Sequence, residues 1–313
     1  MTMPEGTAPD PTGEVSDTGR LHFIGTATTI ITYGPFTLLT DPNFLHQGQR
    51  AYLGRGLVSR RLTEPALDAS SLPVLDAVLL SHLHGDHWDR VARRQLDRSV
   101  PILTTPHAAR RLQGWYGFRR ATGLQTWEDY QLTKGDRVLR VTSMPGRHML
   151  GPIRRLLPPV MGSLLEFGRQ AGPFFEPDYR LYITGDTLMY DGLREITSRF
   201  GPADLAVLHL GGTTLPGGMV VTMDARQGAD LLEALRPRRA VPVHYDDYPL
   251  FKSPLSDFRS EVQRRGLDQL VTWVDRGGSV ALGPAEIRPA SSPTSGEAVG
   301  GSAAPPPRLS PSD

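Results

Sequence analysis

Short apolar runs rich in branched residues recur along most of the chain, separated by turn-forming stretches. They predict strands at 21–24, 28–33, 36–40, 75–80, 136–142, 163–167, 180–184, 204–209, 239–243, 271–274 and 279–282. Apolar positions at helical spacing predict helices near 107–113, 192–200, 224–236 and 255–265. Strands in two series with helices between them favour an α/β fold built as a four-layer αββα sandwich, two sheets face to face with helices outside. The pattern stops at both ends. Residues 1–19 and 285–313 are rich in Pro, Gly, Ser, Thr and Ala, and they read as disordered tails around one domain at 20–284.

The run at 75–80 leads into Ser81-His82-Leu83-His84-Gly85-Asp86-His87, which sets four metal-competent side chains within six positions. Neutral imidazole and carboxylate together suit zinc, manganese or iron. At the end of a strand, side chains two apart point the same way, so His82 and His84 can converge on one ion. Gly85 then suits a turn in a backbone conformation that other residues resist, sending Asp86 and His87 toward a second ion.

Such a site needs more ligands, from other strand ends. Three residues stand in that context: His148 after the strand at 136–142, Asp186 after that at 180–184, and His244 after that at 239–243. His209 closes the strand at 204–209 before Gly211-Gly212. It reads either as a proton donor to a leaving group or as a hydrogen-bonded histidine inside a packed strand. Asp41, ahead of Pro42, is either a partner that fixes a ligand imidazole or the start of a turn.

The motif at 82–87 followed in order by His148, Asp186 and His244 resembles the metallo-β-lactamase fold superfamily of metal-dependent hydrolases, over roughly residues 20–284. The resemblance implies that His82, His84 and His148 hold one metal, that Asp86, His87 and His244 hold the other, and that Asp186 bridges both. A narrower likeness runs to the branch of ascorbate-phosphate lactonases and N-acyl-phosphatidylethanolamine phosphodiesterases. It rests on Leu39-Thr40-Asp41-Pro42, Leu72-Pro73-Val74-Leu75-Asp76, Gly211-Gly212 and Met223-Asp224. The chain departs from that branch at Gly25-Thr26-Ala27-Thr28, where a His is common after the first Gly, and at Gly85, where the phosphodiesterases tend to carry an aromatic. With no Cys at the Asp186 position or elsewhere, antibiotic hydrolysis is not expected.

That ligand set implies two divalent ions, zinc first and manganese or iron as alternatives. A bridging hydroxide would then attack a small ester, lactone or phosphodiester. Asp86 can also orient that hydroxide. A diiron redox protein and a non-catalytic binding protein on the same scaffold are the competing readings. The flavin-linked oxygen reductases of the superfamily put Glu where His84 stands and add a partner domain, and the chain has neither. There is no Gly-x-Ser-x-Gly elbow and no thiol, so serine and cysteine nucleophiles are not expected.

Composition adds boundaries. A net charge of +1 gives no case for nucleic-acid binding, so a small-molecule substrate is expected. No run is long enough to span a membrane, no signal peptide is evident, and a cytoplasmic location is the simplest expectation. The sequence sets no oligomeric state. Of the 34 basic residues only Lys134 and Lys252 are lysines. Two arginine groups read either as facing an anionic substrate with an apolar portion or as ordinary loop composition in an Arg-rich chain: Arg147, Arg154 and Arg155 around His148, and Arg50, Arg55, Arg60 and Arg61 in a loop after Asp41.

Overall fold

The computed structural model describes residues 18–54, 56–149, 157–171 and 174–283. The expected tail at 285–313 and all but the last two residues of that at 1–19 lie outside them, as do Arg55, Arg154 and Arg155. Two sheets form the centre. The first has the order β17 (Ser279–Leu282), β1 (Gly19–Gly25), β2 (Thr28–Tyr33), β3 (Phe36–Thr40), β6 (Ala77–Leu80), β7 (Ile102–Thr104), β8 (Ala121–Gly123). The second has the order β16 (Arg239–Val243), β13 (Leu205–His209), β12 (Phe174–Ile183), β11 (Met161–Ala171), β10 (Arg137–Pro145), β9 (Asp129–Lys134).

Period-two alternation sends neighbouring side chains to opposite faces, and here both faces are covered. Leu38, Leu79, Leu165, Leu181 and Val207 fill the core between the sheets. Their neighbours Leu39, Leu80 and Val78 face a layer containing α1 (Arg90–Gln95) and α2 (Pro106–Tyr116). Leu164, Tyr182 and Leu208 face α3 (Arg194–Phe200), α4 (Ala225–Leu235) and α5 (Leu255–Arg265). These are the four layers expected from the sequence. Three helix starts are fixed by side-chain caps: Asp89, Thr105 and Asp224 accept from Ala92 N, Ala108 N and Gln227 N. Among the described residues no helix is long and apolar enough to cross a membrane.

Several details differ from the sequence expectation. Residues 271–274 form no strand; Val271 makes a single bridge to Ala240. The arginine-bearing loop after Asp41 contains an antiparallel hairpin, β4 (Arg50–Gly54) with β5 (Leu57–Arg60). A second small hairpin joins β14 (Thr214–Leu215) to β15 (Met219–Val220). Neither hairpin belongs to the main sheets, and both stand over the strand ends where the histidines gather.

Candidate metal centre

The loop after β6 is held on several sides. Asp41 Oδ1 accepts from Ser81 N at 2.7 Å and from Ser81 Oγ at 3.0 Å. Asn43 Nδ2 donates to Gly85 O at 2.8 Å, and His87 N and Trp88 N both donate to His84 O. Gly85 N donates to Tyr52 O at 2.9 Å. Gly85 is not among the residues with positive φ. The reason for glycine is therefore a close approach and not the backbone freedom expected from the sequence. A Cβ there would lie 2.6 Å from Tyr52 O, so any side chain collides with β4.

His82, His84 and His148 bring one nitrogen each within 4.8 Å of one another. His82 Nε2 lies 2.8 Å from His84 Nδ1, and the His82 and His148 rings are 4.5 Å apart. His148 Nδ1 donates to Val221 O at 3.1 Å, which fixes the tautomer and leaves Nε2 as a lone-pair donor. Asp86, His87, Asp186 and His244 form a second cluster under the same distance limit. His87 Nε2 is 3.3 Å from Asp186 Oδ2 and 3.1 Å from His244 Nε2, and His244 Nε2 is 3.5 Å from Asp86 Oδ2. The His82 and His87 rings are 4.2 Å apart, so the clusters adjoin. All seven residues singled out in the sequence thus converge.

Several residues aim these ligands. Gly185, at φ +61, turns the chain from β12 into Asp186 where a Cβ would meet Met161 O at 2.5 Å, and Thr222 Oγ1 donates to Asp186 Oδ2. His244 itself adopts φ +63, a conformation costly for a non-glycine residue. It is held there by His244 N donating to Thr26 O at 2.6 Å and by Nδ1 donating to Leu210 O at 3.0 Å. Thr26 N in turn donates to Asp247 Oδ2. The Gly25-Thr26 turn, noted in the sequence only as a departure from relatives, is thus a support for His244. Thr222 and Asp247 carried no signal there, since single polar residues between apolar runs are common.

Asp41 is a partner of the His87 imidazole and not merely the start of a turn. Its Oδ2 lies 3.2 Å from His87 Nδ1 and 3.3 Å from His209 Nε2. His209 is 0% exposed, and its Nδ1 sits 3.3 Å from Thr184 Oγ1. It stacks behind His87 and is not among the residues that line the cavity over the clusters. Arg147 lays its guanidinium over the Tyr190 ring at 4.1 Å, also away from that lining. Arg61, expected to face a substrate, is instead fully buried and donates to Asn43 O and Asn43 Oδ1.

Charge is distributed unevenly between the clusters. Burial, followed by the charge of His87, holds His82 well below the ordinary imidazole range. Burial and His148 hold His84 at about 3, and burial holds His148 down. Neutral imidazoles of this kind are ready ligands. In the second cluster burial works against charge but loses. Asp186, Asp86 and Asp41 raise His87 well above its usual value, and Asp186 and Asp86 raise His244. Burial would raise the carboxyls, yet His244 and His87 bring Asp186 well below the usual range, and His87 brings Asp86 down and Asp41 to about 2. Three buried carboxylates that favour the protonated form of the neighbouring imidazoles form a pocket suited to a cation.

One further observation tests the fit of a metal. His148 Nε2, Asp86 Oδ1 and Asp186 Oδ1 are buried and have no hydrogen-bond partner. Such orphaned atoms are costly in a protein interior; others lie elsewhere, but these three stand together in the two clusters. The donor set fits divalent cations.

Residues 37–245 match the β-lactamase superfamily domain. A UPF0173 metal-dependent hydrolase of Deinococcus radiodurans is 30% identical over 267 residues, covering 84% of this chain and 99% of the relative. Among solved structures, an isothiocyanate hydrolase from Delia radicum gut bacteria has a TM-score of 0.70 at 20% identity, over 83% of this chain and 98% of that one. A possible metal-dependent hydrolase from Veillonella parvula has 0.69 at 20% identity, over 85% and 99%. At that identity these two speak for the fold alone. The relatives carry the superfamily and do not single out its lactonase and phosphodiesterase branch. The chain belongs to the β-lactamase superfamily, as a metal-dependent hydrolase with the metallo-β-lactamase fold.

Proposed function

We propose that the centre holds two divalent cations and that the protein hydrolyses a small ester, lactone or phosphodiester. His82, His84 and His148 would bind one ion, Asp86, His87 and His244 the other, with Asp186 between them. Zinc is the first choice, with manganese or iron as alternatives. The observation that supports this most is the set of orphaned donor atoms, His148 Nε2, Asp86 Oδ1 and Asp186 Oδ1, within two adjoining clusters. Bound divalent ions supply an acidified water as nucleophile and polarise the bond to be cleaved. The rest falls to the chain. Asp86 would hold its ion through one carboxylate oxygen, and the other would accept a hydrogen bond from the attacking water and orient it. Asp41 accepts from His87 Nδ1, so that the Nε2 lone pair faces the cluster. His209 acts through Asp41, because both its ring nitrogens already have neighbours and its ring stands behind His87.

The test combines metal analysis with a screen. Protein loaded separately with zinc, manganese and iron is assayed on lactones, carboxyl esters, phosphodiesters and phosphomonoesters. About two ions per chain and turnover on one class are expected. In Asp186→Ala both fall sharply. Parental metal content and full turnover in that variant would refute the assignment.

A further inference from the structure

The space over the metal clusters is small and its walls are aliphatic. It measures 210 Å³, with His84, Asp86 and Asp186 on one side. Leu53 and Leu57 come from the β4–β5 hairpin, Leu215 and Met219 from the β14–β15 hairpin, and Leu157, Pro216 and Val221 add to the apolar lining. Among the described lining residues there is no cationic side chain. Drug-sized ligands need clefts of roughly 300 Å³ or more. A cavity of about 150 Å³ with aliphatic walls takes up benzene, so this one holds a single ring or a chain of a few carbons. An anionic group pressed against such walls loses its hydration without replacement.

One polar handle interrupts the apolar lining. Thr213 lines the same space, and its Oγ1 is buried with no hydrogen-bond partner. Its backbone is pinned by Val221 N donating to Thr213 O at 2.8 Å and by a bridge to Phe251. A buried hydroxyl without a partner is destabilising unless something else completes it. A substrate oxygen beside the metals does so.

We propose that the hydrolysed bond carries a compact, uncharged apolar substituent that fills this chamber, and that Thr213 is a positioning residue donating a hydrogen bond to the substrate's polar group. The inference rests on the hydrolase reading above and narrows it from three bond classes to neutral esters or lactones with short acyl groups. Met219, 38% exposed at the rim, is flexible enough to adapt to the shape of that group.

The test uses zinc-loaded full-length protein of verified metal content. Calorimetry measures binding of acetate, butyrate, hexanoate, decanoate and succinate, which are acyl products with tails of different length and charge. Affinity rises about fourfold per methylene from acetate to hexanoate. Decanoate gains nothing further, and succinate binds at least tenfold more weakly than butyrate. Leu57→Trp fills the chamber and abolishes the dependence on chain length. Thr213→Val weakens every member severalfold with an unchanged chain-length slope and a thermal midpoint no lower than the parent's, and Thr213→Ser restores binding. In metal-loaded protein, a flat or absent response to chain length overturns the chamber, as does succinate matching butyrate. Parental affinity in Thr213→Val removes Thr213. Failure to take up metal is a different result and counts against the hydrolase reading itself.

Discussion

Replacing Gly85 by alanine puts a methyl group where an ideal Cβ lies 2.6 Å from Tyr52 O and 2.7 Å from Tyr52 N. Ordinary contact begins at 3.4 Å, so loop and hairpin must separate by roughly 0.8 Å. The loop is the stiffer side. Asn43 Nδ2 holds Gly85 O, two backbone bonds close the turn on His84 O, and Asp41 anchors Ser81. The β4–β5 hairpin belongs to neither main sheet, so the hairpin yields. Overpacking costs about 1–3 kcal/mol. Stretching the bond from Gly85 N to Tyr52 O adds about 1 kcal/mol. The expected destabilisation is about 2–4 kcal/mol, a fall in thermal midpoint of roughly 5–10 °C for a domain of this size. Metal content stays within about twofold of the parent, because the ligands keep their places. The Michaelis constant rises, because Leu53 and Leu57 move away from the chamber. Calorimetric melting, metal analysis and steady-state kinetics read the three effects. An unchanged midpoint with unchanged kinetics would show that Gly85 is not a packing requirement. Loss of metal with an intact hairpin would show that the ligand loop is the softer partner.

Asp41→Asn presents an amide N–H or a misoriented carbonyl to His87 Nδ1 and disturbs its tautomer; metal affinity falls about 10–100-fold, measured by competition with a chelator, and equal affinity removes Asp41 from the assembly. His209→Ala slows turnover with metal still bound, and rates equal to the parent's would reduce it to packing. Chelation lowers the thermal midpoint. A metal present at 1,000 times its dissociation constant adds about 4 kcal/mol, so a melting curve indifferent to chelator would count against occupied sites in the folded protein.

The residues of the two clusters were legible because they follow strands with a strong apolar signature. Val78, Leu79 and Leu80 are buried on both faces of their sheet, and such a run cannot be mistaken for a loop. The short elements were not. β7 and β8 have three residues each, too few for a period to register. β9 is an edge strand with mostly exposed side chains, so it carries little apolar signal. The β4–β5 hairpin hid behind Gly54, Gly56 and its arginines, which read as a loop although Ala51 and Leu53 alternate inward. The fate of Arg61 could not be read at all. Its burial depends on Asn43 and on Asp247, the latter 186 positions away, and no local pattern announces such a partnership.

The candidate metal donors come from the ends of the two main sheets, whereas most of the chamber wall comes from two hairpins outside those sheets. Taste and reactivity are thus encoded on separate pieces of chain. Exchanging either hairpin for one of another length or residue content would redirect the protein toward a new molecule while the histidine and aspartate clusters stay where they are. A library confined to residues 50–60 and 214–220 is the economical place to seek such changes.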